Sequence, residues 1–140
     1  MSDSMKENKI EVIEQFIDPV AQLTFNDLTY PIILPNADTD YIQKKLHSER
    51  VPYELDMLKD MQRRLSKGDS VLDIGANIGN HTLFLAVVAQ CKVIAFEPNE
   101  ALYGPLLKSI ELNRLANRVS VRPVALGKVK GEGHFAKLVP

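Results

Sequence analysis

Apolar residues change their spacing several times along the chain, and each change marks an element. Ile10, Val12, Ile13, Phe16 and Ile17 follow a rough helical spacing, so residues 7–16 read as an amphipathic lead-in whose extent Pro19 limits. Two short extended runs follow, residues 21–25 and 29–34, with Asn26-Asp27 between them as a hairpin turn. Pro31 has no N–H to give a neighbour and suits an edge strand. The polar run Asn36-Ala37-Asp38-Thr39-Asp40 offers helix-capping side chains, and residues 41–48 read as a short helix. A second helix starts at Pro52 and covers residues 53–65. Its Leu55, Leu58, Met61 or Gln62, and Leu65 fall three and four apart, while Asp56, Lys59, Asp60 and Arg63 can face water. Lys67-Gly68 ends it.

Beyond Gly68 the runs become shorter and more apolar. Residues 70–74 read as a strand that turns at Gly75, and residues 81–89 as an apolar helix. A second strand over 92–96 ends at Glu97-Pro98-Asn99, a second helix covers 100–115, and a third strand covers 119–123. Strands and helices that alternate over short links form half of a doubly wound parallel sheet. The expected fold is therefore α/β and Rossmann-like, with three layers α/β/α. Residues 1–35 are a helix-and-hairpin extension, and residues 36–140 are the first half of a ligand-binding domain.

Composition narrows the partner. A chain of 140 residues with 45% hydrophobic and 25% charged side chains has the make-up of one soluble globular domain. Its formal net charge is -1 and its basic residues are scattered, so no concentrated basic face is expected for nucleic acid. A small molecule is the expected partner. The single cysteine, Cys91, excludes an internal disulfide, and no run reaches the roughly 18 apolar residues of a membrane span. These features point to the cytoplasm. His47, His134 and Cys91 lack partners at metal-ligand spacing.

In a doubly wound sheet, ligands bind at the carboxyl ends of the strands. The first strand ends in Asp73-x-Gly75-x-Asn77-x-Gly79. Gly75 and Gly79 permit positive φ and let a ligand approach bare backbone. Asp73 is expected to face the same crevice, where its carboxylate suits a cationic, amine-bearing ligand such as the methionine moiety of S-adenosylmethionine. The amides at the following helix start suit that ligand's own carboxylate. A dinucleotide would require Gly-x-Gly-x-x-Gly, but the second and third glycines are replaced by Asn77 and Asn80, whose side chains would crowd a pyrophosphate. Glu97 lies 22 positions after Gly75, at the tip of the neighbouring strand, where a carboxylate can accept both hydrogen bonds of a ribose diol. Pro98 stiffens that turn and Asn99 caps the next helix.

Residues 54–127 resemble the FkbM family of S-adenosylmethionine-dependent methyltransferases. The resemblance rests on VLDIGANIGNHTLFLA, on AFEP with the Leu112-Asn113 pair, and on Ala125-Leu126-Gly127, in that order and spacing. It implies O-methylation of a sugar or other small-molecule hydroxyl. It also adds His81, beside the cofactor carboxylate, and Glu54, beside the cofactor amine, to a cofactor set of Asp73, Gly75, Asn77, Gly79, Glu97 and Pro98. Ala125 joins them where adenine would lie. In the family pattern an Asp-x-Glu-Gly motif follows a fourth strand, and the catalytic base belongs to that half. Pro140 precedes it, so the chain is expected to hold mainly the cofactor-binding half, truncated after the third parallel strand. An unpaired apolar edge at VLDI would invite self-association. Two other readings remain open at this point: a non-catalytic remnant or assembly module, and an NAD-binding Rossmann module.

Overall fold

In the computed structural model, which describes residues 18–134, an antiparallel hairpin leads into a parallel α/β unit. The helical lead-in expected over residues 7–16 lies outside the described residues. Strands β1 (Val20–Phe25) and β2 (Leu28–Ile33) pair in register from Val20 with Ile33 to Phe25 with Leu28. Asn26 takes the left-handed turn conformation, with φ 51°. Ala21, Leu23 and Phe25 alternate inward on β1, and Tyr30 and Ile32 answer them from β2.

Helix α1 (Tyr41–Glu49) starts where the Asp40 carboxylate accepts a hydrogen bond from the Gln43 N–H at 2.9 Å. Helix α2 (Leu55–Arg64) begins two residues later than its apolar spacing predicts. Glu54 is left-handed, with φ 57°, so the chain kinks into the helix there.

Strands β3 (Ser70–Ile74), β4 (Lys92–Phe96) and β5 (Val119–Arg122) form a parallel sheet in the order β3-β4-β5. The link from β3 to β4 carries α3 (Asn80–Leu83), which widens into a π-helical turn over Phe84–Val88. There Ala89 donates to the carbonyl of Phe84, five residues back, at 3.1 Å. The wider turn lets Phe84, Leu85, Ala86 and Val88 all be buried, which a regular helix of one apolar stripe would not allow. Helix α4 (Glu100–Leu112) is capped as expected by the Asn99 side chain, which accepts from the Ala101 N–H at 3.1 Å. It stops three residues short of the expected 115. Arg114 turns left-handed, and Leu115, beyond the helix end, is buried in the core.

One core joins hairpin, helices and sheet. The Phe25 and Phe84 rings meet edge to face with centroids 5.1 Å apart, and Leu83, Leu106, Val93, Ala95 and Val119 pack in the same cluster. Each of these side chains larger than Ala95 stabilises the fold by about 1.5–3 kcal/mol when removed from water. The helices cover one face of the parallel sheet. On the other face Leu72 and Ile74 are 58% and 61% exposed, beside the half-buried Ile94 and Phe96. Of the three expected layers, the described residues supply the sheet and one helical layer. Beyond β3 they supply no further strand.

Candidate functional site

The carboxyl ends of β3 and β4 meet in one polar crevice. After Ile74 the chain passes through positive φ at Gly75 (73°), Asn77 (55°) and Gly79 (101°). This bends it sharply enough for the Gly75 and Ala76 N–H groups both to donate to the Phe96 carbonyl, each at 2.9 Å. A side chain at Gly79 is strained by the φ of 101°, and a Cβ there would lie 2.6 Å from Leu106 Cδ1, which would have to move. At Gly75 a Cβ would meet nothing within 4 Å, so open space lies above that backbone.

Glu97 ties the two strand ends together. Its Oε1 accepts from the Asn77 N–H at 2.7 Å and its Oε2 from the Asn99 N–H at 2.9 Å, and the side chain is buried. One carboxylate thus holds both the left-handed turn after β3 and the cap of α4. Pro98, half-buried, spans the gap between the carboxylate and that cap.

Asp73 differs from its expected placement. Its side chain is buried, its Oδ2 accepts from the Thr82 hydroxyl at 2.5 Å, and it does not line the crevice surface. Thr82 follows nine residues later on α3, so the pair pins the helix back against the end of β3.

A small cleft of about 170 Å³ opens beside the turn, walled by Tyr53, Glu54, Gly75, Asn77, Asn80 and His81. Glu54 and His81 face each other across it, with Glu54 Oε1 and His81 Nε2 3.3 Å apart. Asn80, expected with Asn77 to crowd a phosphate path, turns its carboxamide away. It accepts from the Tyr53 N–H at 2.9 Å and donates to the Tyr53 carbonyl at 2.8 Å. Only Asn77 of the two is exposed.

The structure therefore brings together Glu54, Gly75, Asn77 and His81, with Gly79 beneath them, Glu97 joined through the Asn77 amide and Asp73 behind. Ala125 is not brought in. It lies in the exposed segment after β5, away from the cleft lining. Tyr53 and Thr82 were not singled out from sequence, and Asn80 was read as crowding a pyrophosphate rather than as holding Tyr53. Thr82 had a weak signal, a hydroxyl on the first turn of the helix that follows Asp73; Tyr53 had none.

Burial pushes the Cys91 thiol up, and the nearby Asp69 charge adds to this, which keeps the sulfur protonated and unreactive. Among the described residues no cluster of His, Cys, Asp and Glu could hold a metal ion, and no helix is long and apolar enough to cross a membrane.

No protein-family model matches the chain, nor does any curated protein. Solved structures do resemble it. TYW2 of P. horikoshii, in complex with MeSAdo, is 23% identical with a TM-score of 0.55, over 82% of this chain and 39% of that one. TYW2 of M. jannaschii, in complex with AdoMet, is 22% identical with a TM-score of 0.50, over 74% and 42%. The M. jannaschii tRNA m1G37 methyltransferase is 19% identical with a TM-score of 0.51, over 79% and 31%. The fold is thus Rossmann-like, as in these structures, and the chain spans about two fifths or less of their length.

Proposed function

We propose that the chain binds S-adenosylmethionine in the crevice between β3 and β4 and serves an S-adenosylmethionine-dependent methyltransferase of the FkbM type. The reaction we assign is O-methylation of a hydroxyl on a sugar or another small molecule. One observation carries the reading: the Glu97 carboxylate joins the glycine turn and the end of β4 into one preorganised cradle. Solved structures of this fold with AdoMet and MeSAdo support it.

The residues fit such a cofactor. Open space above Gly75 admits a ligand to bare backbone. Each Glu97 oxygen accepts one amide hydrogen bond, and a carboxylate oxygen has a second lone pair, so both can still accept from a ribose diol. Glu54 and His81 suit the amine and carboxylate of the methionine end. Asp73 adds negative charge behind the turn, and Pro98 keeps Glu97 in place. We assign Ala125 to the adenine side, to be reached by movement of its exposed segment. When bound, the cofactor supplies an electrophilic methyl group on a sulfonium. The chain's own residues orient it and keep water from it. The exposed left-handed Asn77 stands where a dinucleotide site needs glycine, which disfavours NAD. With a net charge of -1 and scattered basic residues, we assign a small-molecule acceptor rather than nucleic acid, and a cytoplasmic location.

Calorimetry with S-adenosylhomocysteine and with NADH tests this. The wild-type chain should bind the first and not the second, and Glu97→Ala should bind at least about tenfold more weakly, as expected for losing hydrogen bonds to a charged group. Equal affinity of Glu97→Ala and wild type would remove Glu97 from the ribose role.

A second reading is favoured by the free edge of β3 and by the exposed Leu72 and Ile74 on the uncovered face beside it: a non-catalytic assembly module that pairs this edge with another copy. Concentration-dependent self-association without S-adenosylhomocysteine binding would establish that reading in place of the first.

A further inference from the structure

Glu54 has a backbone conformation that its own sequence does not favour. It is a non-glycine residue at φ 57°, ψ 46°, and its side chain makes no cap hydrogen bond to the helix it begins. Such a conformation persists only where the surroundings enforce it. The residue immediately before it, Tyr53, is gripped from both sides of its peptide backbone by one side chain 27 positions away: Asn80 accepts from the Tyr53 N–H and donates to the Tyr53 carbonyl. Asn80 is 7% exposed, so the pair of bonds is shielded from competing water. It also begins α3, immediately before His81.

The clamp thus fixes the distance between two backbones, that of Tyr53-Glu54 and that of Asn80-His81. The Glu54 carboxylate and the His81 ring project from them and meet at 3.3 Å over the cleft. Both side chains are partly exposed, at 45% and 30%, and a polar contact so open to water contributes too little to hold two chain segments together. The cause therefore runs from the buried carboxamide to the exposed pair, not the reverse.

We propose that Asn80 is a positioning residue: by clamping Tyr53 it holds Glu54 opposite His81 and so builds the polar wall of the cleft that reads the amino-acid end of the ligand. This rests on the cofactor reading above and deepens it, because the wall would recognise a zwitterion, an ammonium beside a carboxylate, rather than a nucleoside. The wall then sets how far a ligand carrying that zwitterion is preferred over one lacking it.

The test compares S-adenosylhomocysteine, which carries the amino-acid end, with 5′-methylthioadenosine, which lacks it, by calorimetry on the full chain. The wild type should prefer the first. In Asn80→Ala that preference should fall about tenfold while affinity for methylthioadenosine changes less than about twofold. Glu54→Gln should lower the preference similarly, and the double variant should be no worse than either single one, since both act on one wall. Should Asn80→Ala fail to fold, Asn80→Asp carries the same comparison, because it keeps the acceptor for Tyr53 N–H and loses the donor to its carbonyl. A purely structural role would lower thermal stability and leave the ratio of the two affinities unchanged, which overturns the inference alone. Additive losses in the double variant overturn it as well. A wild-type chain that binds neither ligand overturns the cofactor reading itself, and this inference with it.

Discussion

Helix α4 meets the glycine turn and the hairpin with one face, yet the two contacts are built from different chemistry. Leu106, Ser109 and Asn113 lie three and four residues apart and so share that face. Leu106 packs where Gly79 has no side chain. Ser109 and Asn113 instead reach the free edge of β2: the Ser109 hydroxyl accepts from the Ile33 N–H at 2.9 Å, and the Asn113 amide donates to the Pro31 carbonyl at 2.8 Å. Pro31 itself brings no N–H that would need a partner there. The turn contact depends on shape, because the backbone must come within van der Waals reach of a leucine. The hairpin contact depends on polarity, because a strand edge packed against a helix would otherwise bury unpaired groups. By contrast the β3 edge of the parallel sheet has no such side chains across it among the described residues, and its apolar residues remain exposed.

Three substitutions sharpen this contrast. The largest effect is expected at Gly79→Ala, which adds a methyl 2.6 Å from Leu106 Cδ1 at a left-handed φ of 101°. Strain and overpacking together should cost about 2–4 kcal/mol in urea unfolding and weaken S-adenosylhomocysteine binding. A loss below about 0.5 kcal/mol would show that Leu106 yields and that the turn contact is not one of shape.

Ser109→Ala comes next. It strands the buried Ile33 N–H and should cost about 1–3 kcal/mol. Ligand affinity should stay the same, since Ser109 is remote from the cleft. A variant that lost affinity but kept stability would reverse the division of labour between the two contacts.

The smallest effect is expected at Tyr30→Phe. Among the described residues the Tyr30 hydroxyl, buried in the hairpin core, has no hydrogen-bond partner, so its removal should be neutral or stabilise by about 1 kcal/mol. Burial pushes the Tyr30 phenol up from its ordinary value. The neutral phenol is therefore favoured in the folded state, and that stability is complete below the unfolded pKa of about 10 and is lost as pH rises beyond it. Tyr30→Phe should flatten this alkaline decline in a stability profile from pH 9 upward. An unchanged profile would place the titrating group elsewhere.

Several local features of the crevice were legible in the sequence. Gly75 and Gly79 were recognisable as positions of positive φ, and Glu97 as the acid at the tip of the next strand, because turn chemistry and strand ends are local patterns. What Glu97 actually grips was not legible. Its bond to the Asn77 amide depends on two parallel strands ending level, a fact of register rather than of composition. Asp73 was placed correctly at a strand end but not by its contacts, since Thr82 claims one oxygen only after the helix has packed back. The same limit explains the helix over 81–89: its apolar run was visible, whereas the π-helical turn arises from burying four neighbouring side chains at once.

By itself the sequence determined what neighbouring residues can decide. The hairpin alternation, the Asp40 and Asn99 caps, and the succession of strands and helices along the chain all follow from propensities and bonds spanning a few positions. Only the tertiary structure decided which distant backbones each polar side chain would hold: Asn80 on Tyr53 across 27 positions, Ser109 on Ile33 across 76, and Asn113 on Pro31 across 82. Those side chains can bond many partners equally well. Hydrophobic burial brings segments together without directional preference, and the buried amides it leaves facing them must then be satisfied by whichever carboxamide or hydroxyl lies within reach.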